Sequence, residues 1–231
     1  MFSLFRKKNT EADHYFPIET DMHSHVLPGI DDGSPDLETS VALIRGLMDL
    51  GVKKSIATPH VISDLYKNNP ETISNALDAL KAELRNQSID YEITAAAEYM
   101  LDSNFFEMLE NNEKLLTLQD NIILTEFSYA SMPADPEKYS FAISMAGYRP
   151  VLAHPERYAY YHGNYKMYHR FTELGFMLQL NLLSLTGYYG KDAVKAANYM
   201  LKNELISFVG TDLHHPRHLI FICVVNFSWM N

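Results

Sequence analysis

Ile18-Glu19-Thr20-Asp21-Met22-His23-Ser24-His25 is a short run of mixed apolar and polar residues that ends in two imidazoles. It reads as a strand from Ile18 to Met22, and a period of two points His23 and His25 to one face, where they can grip one ion. Turn-forming residues follow in Val26-Leu27-Pro28-Gly29-Ile30-Asp31-Asp32-Gly33-Ser34. Such a loop can return a carboxylate, from Asp31 or Asp32, to the same ions. Further strand candidates run from Lys54 to Thr58, Tyr91 to Ala97, Asn121 to Phe127, Pro150 to Ala153, Phe176 to Asn181 and Leu205 to Gly210. Four of these end in a metal-ligand type of residue or just before one: Glu98, Glu126, His154, and Asp212 with His214. His60 follows a fifth, after Thr58-Pro59.

Amphipathic helices lie between the strands. Ser34-Pro35 opens one whose Val41, Ile44, Leu47 and Met48 share a face before Gly51 closes it, and Asn69-Pro70 opens another carrying Ile73, Leu77, Leu80 and Leu84. Asp135-Pro136 and Lys191 begin two more, with shorter ones at Asn104 to Leu109 and Asn164 to Leu174. Alternation of this kind predicts an α/β domain with a parallel sheet and helices outside it. In a (β/α) barrel the C-terminal strand ends share one mouth, which would gather ligands scattered over the whole chain.

The chain has 231 residues, 47% of them hydrophobic, enough for one barrel-sized core. A net charge of -10 and the lack of a basic cluster exclude a nucleic-acid binder. The basic run Arg6-Lys7-Lys8 follows its apolar residues, which reverses the order of a secretory signal, so a cytoplasmic protein is expected. Cys223 is the single cysteine, which rules out an internal disulfide. No arginine stands six residues after it, so a cysteine-based phosphatase is excluded as well.

Each ligand-type residue has an ordinary structural reading: His60 and His154 as satisfied core histidines, Glu126 as a buried carboxylate paired with Arg157. Collectively the argument changes. Asp32, Glu98, Glu126 and Asp212 brought to one mouth would repel one another unless cations neutralised them. Nitrogen and oxygen donors without cysteine suit an open hydrolytic site better than a closed structural one.

The run His23-Ser-His25-Val-Leu-Pro-Gly-Ile-Asp-Asp32-Gly, with Thr58-Pro-His60, Glu98, Glu126-Phe127, His154-Pro-Glu-Arg157-Tyr158 and Thr211-Asp212-Leu-His214, closely resembles the polymerase-and-histidinol-phosphatase (PHP) superfamily. Within it the chain is most similar to the bacterial manganese-dependent tyrosine-protein phosphatases of capsular and exopolysaccharide synthesis. The resemblance spans Asp21 to Arg217. It implies a distorted seven-stranded, TIM-like (β/α)7 barrel over residues 18–218, behind an N-terminal extension of residues 1–17. It also implies three divalent ions, manganese by preference with iron or zinc as alternatives, and hydrolysis of phosphotyrosine by a metal-bridging hydroxide. The expected partner is a polysaccharide-assembly tyrosine kinase.

Metal ligation carries over to His23, His25, Asp32, His60, Glu98, Glu126, His154, Asp212 and His214, with Asp32 preferred to Asp31 on spacing. Arg157, His60 and His154 are expected to act on the substrate. Arg157 matches an arginine that holds phosphate, a role suited to its bidentate fork, and Arg217 is the second phosphate candidate. Three divalent cations against four carboxylates and one hydroxide leave a charge of about +1, suited to a phosphomonoester dianion. Tyr158, Tyr160 and Tyr161 have two readings, stacking on a phosphotyrosine ring or packing, and packing is preferred. The tail of residues 219–231 shows neither charge nor helical amphipathy, and is read as a truncation, a frameshift product or a terminal strand. The rival functions are a histidinol-phosphate or other small-phosphoester phosphatase, and a non-enzymatic metal-binding regulatory module.

Overall fold

Two of the expected strands are each followed by a further short strand that the sequence did not announce. The structure, a computed structural model, describes Phe16 and residues 18–225, so the N-terminal extension, apart from Phe16, and the end of the tail lie outside the described residues. Strand β1 is Thr20–Ser24, two residues later than expected. The expected strand Lys54 to Thr58 is β2 (Lys54–Ala57), and past Thr58-Pro59, where proline has no N–H for a ladder, comes a short strand that was not expected, β3 (His60–Val61). The expected strand Tyr91 to Ala97 is β4 (Glu92–Ala95), and past Ala96-Ala97 comes a second unexpected short strand, β5 (Glu98–Met100). The remaining strands, β6 (Ile122–Glu126), β7 (Arg149–Ala153), β8 (Met177–Asn181) and β9 (Ile206–Gly210), fall where alternation placed them.

All the strand pairings are parallel, in two sheets ordered β1-β2-β4 and β3-β5-β6-β7-β8-β9. The expected parallel α/β architecture is therefore present, but among the described residues the ladders form two sheets and no single closed one. Backbone bonds cross the breaks: Ala96 N–H donates to Ala57 O at 2.8 Å and Glu98 N–H to Pro59 O at 3.0 Å. Past β9 the chain returns to β1, with Asp212 N–H donating to His23 O at 2.8 Å and His25 N–H to Leu213 O at 2.9 Å. Aligned strand ends follow from this register, and they carry the histidines.

Helices cover the sheets. They are α1 (Leu37–Asp49), α2 (Pro70–Asn86), α3 (Ser103–Glu110), α4 (Pro136–Met145), α5 (Lys166–Glu173), α6 (Lys191–Lys202) and α7 (Pro216–Ile222). Asp36, not Ser34, caps α1, accepting from Thr39 N–H at 2.8 Å. Its buried face holds Val41, Leu43, Ile44 and Leu47, while Met48, expected there, is exposed. Asn69 caps α2 in a reciprocal box with Thr72. Leu219 to Ile222, expected to lack helical character, form the end of α7. Pro216 presets its first turn, and His218 and Ile222, four residues apart, share a buried face. Close approach to α1 is why residue 46 is glycine: a Cβ there would lie 2.2 Å from Leu219 Cδ1. Among the described residues no helix is long and apolar enough to cross a membrane.

The main core lies between helices and sheets, and a smaller cluster gathers Met22, Leu124, Val151 and Ala153, with Ile56, Met177 and Phe208 against it. That cluster draws side chains from both sheets onto one interior.

Candidate metal centre

The donor residues are built from strand ends. His23 lies within β1 and His25 just past it; Glu98 opens β5 and His60 opens β3; Glu126 closes β6; His154 and Asp212 follow β7 and β9. All nine candidates meet. His23 Nε2 lies 3.2 Å from His25 Nε2, 3.2 Å from Glu98 Oε2 and 3.4 Å from Asp212 Oδ1. His60 Nδ1 lies 2.9 Å from Glu126 Oε1 and 3.2 Å from Glu98 Oε2, while its Nε2 is 3.4 Å from Asp32 Oδ1. His154 Nε2 takes the other Glu98 oxygen at 3.0 Å, and His214 Nε2 is 3.6 Å from Asp32 Oδ1.

These separations test whether cations fit. Donor atoms about 2.1 Å from one ion stand roughly 3.0 to 3.4 Å from each other, the spacing found here. The donors form four sets whose atoms lie within 4.8 Å of one another: His25-Asp32-His60-His214, His23-His154-Asp212, His23-His25-Glu98 and His60-Glu98-Glu126. Buried atoms His60 Nδ1, Glu98 Oε2 and Glu126 Oε1, all in the last set, have no hydrogen-bond partner. Unpaired buried polar atoms are costly, and a cation among them would satisfy all three. The residues therefore fit divalent ions.

Electrostatics point the same way. Burial acts to raise Glu98, yet His23 and His60 hold it well below the usual carboxylate range. Burial raises Glu126, and the charge of Glu98 adds to it. Burial and His25 act to lower His60, but Glu98 and Glu126 outweigh them and push it up to about 9. His23, His25 and His60 are all pushed up and so favour protons that offset the carboxylates, whereas burial and Arg157 push His154 down to about 4.

Supporting residues were less legible. Asp31 lies under His25, 2.8 Å from its Nδ1, while Asp32, 52% exposed, faces His60 and His214. β8, the strand expected to give no ligand, supplies props instead: Gln179 Oε1 lies 2.9 Å from His23 Nδ1, and Asn181 Nδ2 donates to Asp212 Oδ2 at 2.8 Å. Buried Asp21 accepts from Thr211 N–H at 2.9 Å and from its hydroxyl at 2.6 Å, tying the turn after β9 to β1. Burial pushes its carboxyl up to about 6. Period-two spacing ahead of His23 is the one sequence signal that could have pointed to Asp21. Partners of this type fix ligand orientation.

Two donors sit in strained backbone, His154 at φ +35° and Asp212 at φ +51°. Non-glycine residues there cost about 1–3 kcal/mol and cluster at functional sites. Gly33 is another local constraint, since a Cβ would lie 2.1 Å from His25 O. Gly33→Ala is expected to displace the Asp31-Asp32 loop and to destabilise the fold by about 1–3 kcal/mol. A denaturant midpoint equal to wild type would refute the contact.

Arg157, on the 3-10 turn Pro155–Arg157, pairs with Asp212 rather than Glu126 or Glu156, and its side chain is 20% exposed at the mouth. Glu156 instead accepts from Asn181 N–H and the Ser184 hydroxyl. Arg217 is exposed on the first turn of α7, beside but outside the four donor sets. The preferred packing reading holds for Tyr158 and Tyr161, which are buried, and Tyr160 donates its hydroxyl to Ser128 O at 2.9 Å. Cys223 is exposed at the end of α7.

Residues 19–219 match the family described as "Capsular polysaccharide synthesis, CpsB/CapC". Tyrosine-protein phosphatase YwqE of Bacillus subtilis is 32% identical over 198 residues, which cover 85% of this chain and 78% of that one. Tyrosine-protein phosphatase CpsB of Streptococcus pneumoniae is 29% identical, covering 84% and 82%. A solved structure from a study of YwqE from Bacillus subtilis and CpsB from Streptococcus pneumoniae, described as unique metal-dependent tyrosine phosphatases, superposes with a TM-score of 0.79. It is 30% identical, covering 88% of this chain and 84% of that one.

Proposed function

Because the chain belongs to the CpsB/CapC family of capsular polysaccharide synthesis, we propose that it is a metal-dependent protein-tyrosine phosphatase. The observation that carries this reading is the gathering of five imidazoles and four carboxylates into four overlapping donor sets, one of which holds three buried atoms without a hydrogen-bond partner, with an arginine at the rim. Its ligands are His23, His25, Asp32, His60, Glu98, Glu126, His154, Asp212 and His214, with three divalent ions, manganese by preference and iron or zinc as alternatives. Bound there, such ions supply charge against a phosphate dianion and activate water.

The protein's own groups do the rest. Asp212 holds one guanidinium nitrogen of Arg157, leaving the remaining donors for non-bridging phosphate oxygens. Gln179 and Asp31 fix the rings of His23 and His25. Water oxygen bonds to phosphorus as the bond to the phenol oxygen breaks; the electron pair leaves on the phenolate, which takes up a proton. Inorganic phosphate and tyrosine are the products, and no covalent enzyme intermediate is required. The substrate we favour is a tyrosine-phosphorylated protein, specifically a polysaccharide-assembly kinase.

We further read the two sheets as segments of one distorted seven-stranded (β/α)7 barrel. Ladder-like bonds across the breaks, the return of the chain past β9 to β1, and an interior cluster fed by both sheets support this.

The test is phosphate release by chelator-stripped protein from a phosphotyrosine peptide, with and without manganese, and with histidinol phosphate alongside. Manganese-dependent release from the peptide alone is expected. Release from histidinol phosphate alone would favour a small-phosphoester phosphatase. No release from either, by folded and metal-loaded protein, would favour a non-enzymatic module.

A further inference from the structure

Arg157 meets the site mouth between aromatic neighbours. Its guanidinium carbon lies 4.1 Å from the ring centroid of Tyr189 and 5.1 Å from that of Tyr129. Tyr129, on the loop between β6 and α4, is 45% exposed. Its tip is nonetheless fixed: the hydroxyl lies 3.0 Å from His154 Nδ1, and the ring stacks on His154 at 24°. Tyr189, past the 3-10 turn Leu182–Thr186, is half-buried, with its hydroxyl 3.5 Å from Asn181 Nδ2. A large aromatic side chain held at both ring and hydroxyl, yet nearly half in water, offers a stacking surface at no further cost of ordering.

Resting on the phosphatase reading, we infer that Tyr129 and Tyr189 form an aromatic mouth that selects aryl over alkyl phosphomonoesters. A phosphate on the free edge of Arg157 brings its ester oxygen to the level of the two rings. Whatever that oxygen carries must pass between or against them. A phenyl group gains stacking there, worth about 3- to 10-fold in affinity. Phosphoserine has a single methylene between ester oxygen and backbone and offers no ring to stack there, whereas phosphotyrosine carries its ring directly on the ester oxygen. Tyr158 and Tyr161 cannot stack on it, because their rings are fully buried where that of Tyr129 is not.

Tyr129→Ala, Tyr129→Phe and Tyr189→Leu separate recognition from scaffolding. Two ratios are measured: kcat/KM for phosphotyrosine over phosphoserine in one peptide sequence, and calorimetric affinity of metal-loaded protein for phenylphosphonate over methylphosphonate. Tyr129→Ala is expected to lower both ratios by about 3- to 10-fold, Tyr189→Leu by less, and Tyr129→Phe, which keeps the ring, to leave both near wild type. Because ratios are read, a partly folded variant does not distort them. Equal loss on aryl and alkyl ligands in Tyr129→Ala would overturn the inference and reduce Tyr129 to a support for His154 and Arg157. So would a wild-type protein with no preference for phenylphosphonate. A wild type that prefers phenylphosphonate but releases phosphate from neither peptide would instead overturn the phosphatase reading and leave the aromatic mouth standing.

Discussion

Glu98→Gln is expected to lower kcat/KM for a phosphotyrosine peptide by ~10^3-fold or more and to reduce the divalent ions retained per chain after dialysis. Glu98 is the hub of the donor cluster: Oε1 faces His154 Nε2 at 3.0 Å, and Oε2 faces His23, His25 and His60 at 3.2, 3.4 and 3.2 Å. Glutamine keeps the shape and one oxygen. It also removes a charge and turns an NH2 donor toward imidazole nitrogens that must stay free to bind. Bulk is conserved, so the loss reads chemistry rather than a cavity. Steady-state phosphate release and elemental analysis check the two effects independently. Wild-type activity with full metal content would remove Glu98 from the site.

Strand-borne donors were the legible part of this protein. His23 and His25 obey a period of two that survives folding, and Glu98, Glu126 and His154 mark strand limits set by local alternation. Resemblance to the phosphatase family rested on those same residues, and the family match bears it out. What stayed hidden depends on contacts between distant segments. Asp31 and Asp32 are adjacent, and spacing can nominate either. Only the loop's closure, with Ser34 N–H on His25 O at 3.0 Å, sends Asp31 beneath His25 and Asp32 toward His60 and His214.

Gln179 and Asn181 were equally silent, since an amide side chain on a buried strand carries no signature until its partner 156 or 31 residues away is placed against it. Tyr129 follows the same logic. Aromatic residues after His154 drew attention by their density, but those pack, and the exposed ring comes from a different loop. The short strands β3 and β5 were not expected: the break before β3 has a readable cause at Pro59, whereas Ala96-Ala97, before β5, carries none that a single sequence displays. Leu219 to Ile222 are helical where Pro216 starts the turn and His218 and Ile222 find a buried face, a tertiary context that overrides weak local amphipathy.

Stripping divalent cations with a chelator is expected to abolish phosphate release and to lower the thermal midpoint by ~5–10 °C, with manganese restoring both. A ligand at a hundredfold excess over its Kd stabilises the native state by about 2.7 kcal/mol. In a chain of this size each kcal/mol moves the midpoint by about 2–4 °C. The sign follows from the charges. Asp32, Glu98, Glu126 and Asp212 are held within one mouth, so cations bound there relieve repulsion that the unfolded chain does not have. Protonated imidazoles offset part of that repulsion when no cation is present, His60 among them, so stripping weakens the fold without unfolding it. Calorimetric scans and phosphate release on the same samples check the pair. Loss of activity with an unchanged midpoint would mean that protons balance the cluster as well as cations do, and that the ions serve chemistry alone. An unchanged rate after verified removal would mean that the orphaned atoms of His60, Glu98 and Glu126 find their partners some other way, and the metal-dependent reading would fall.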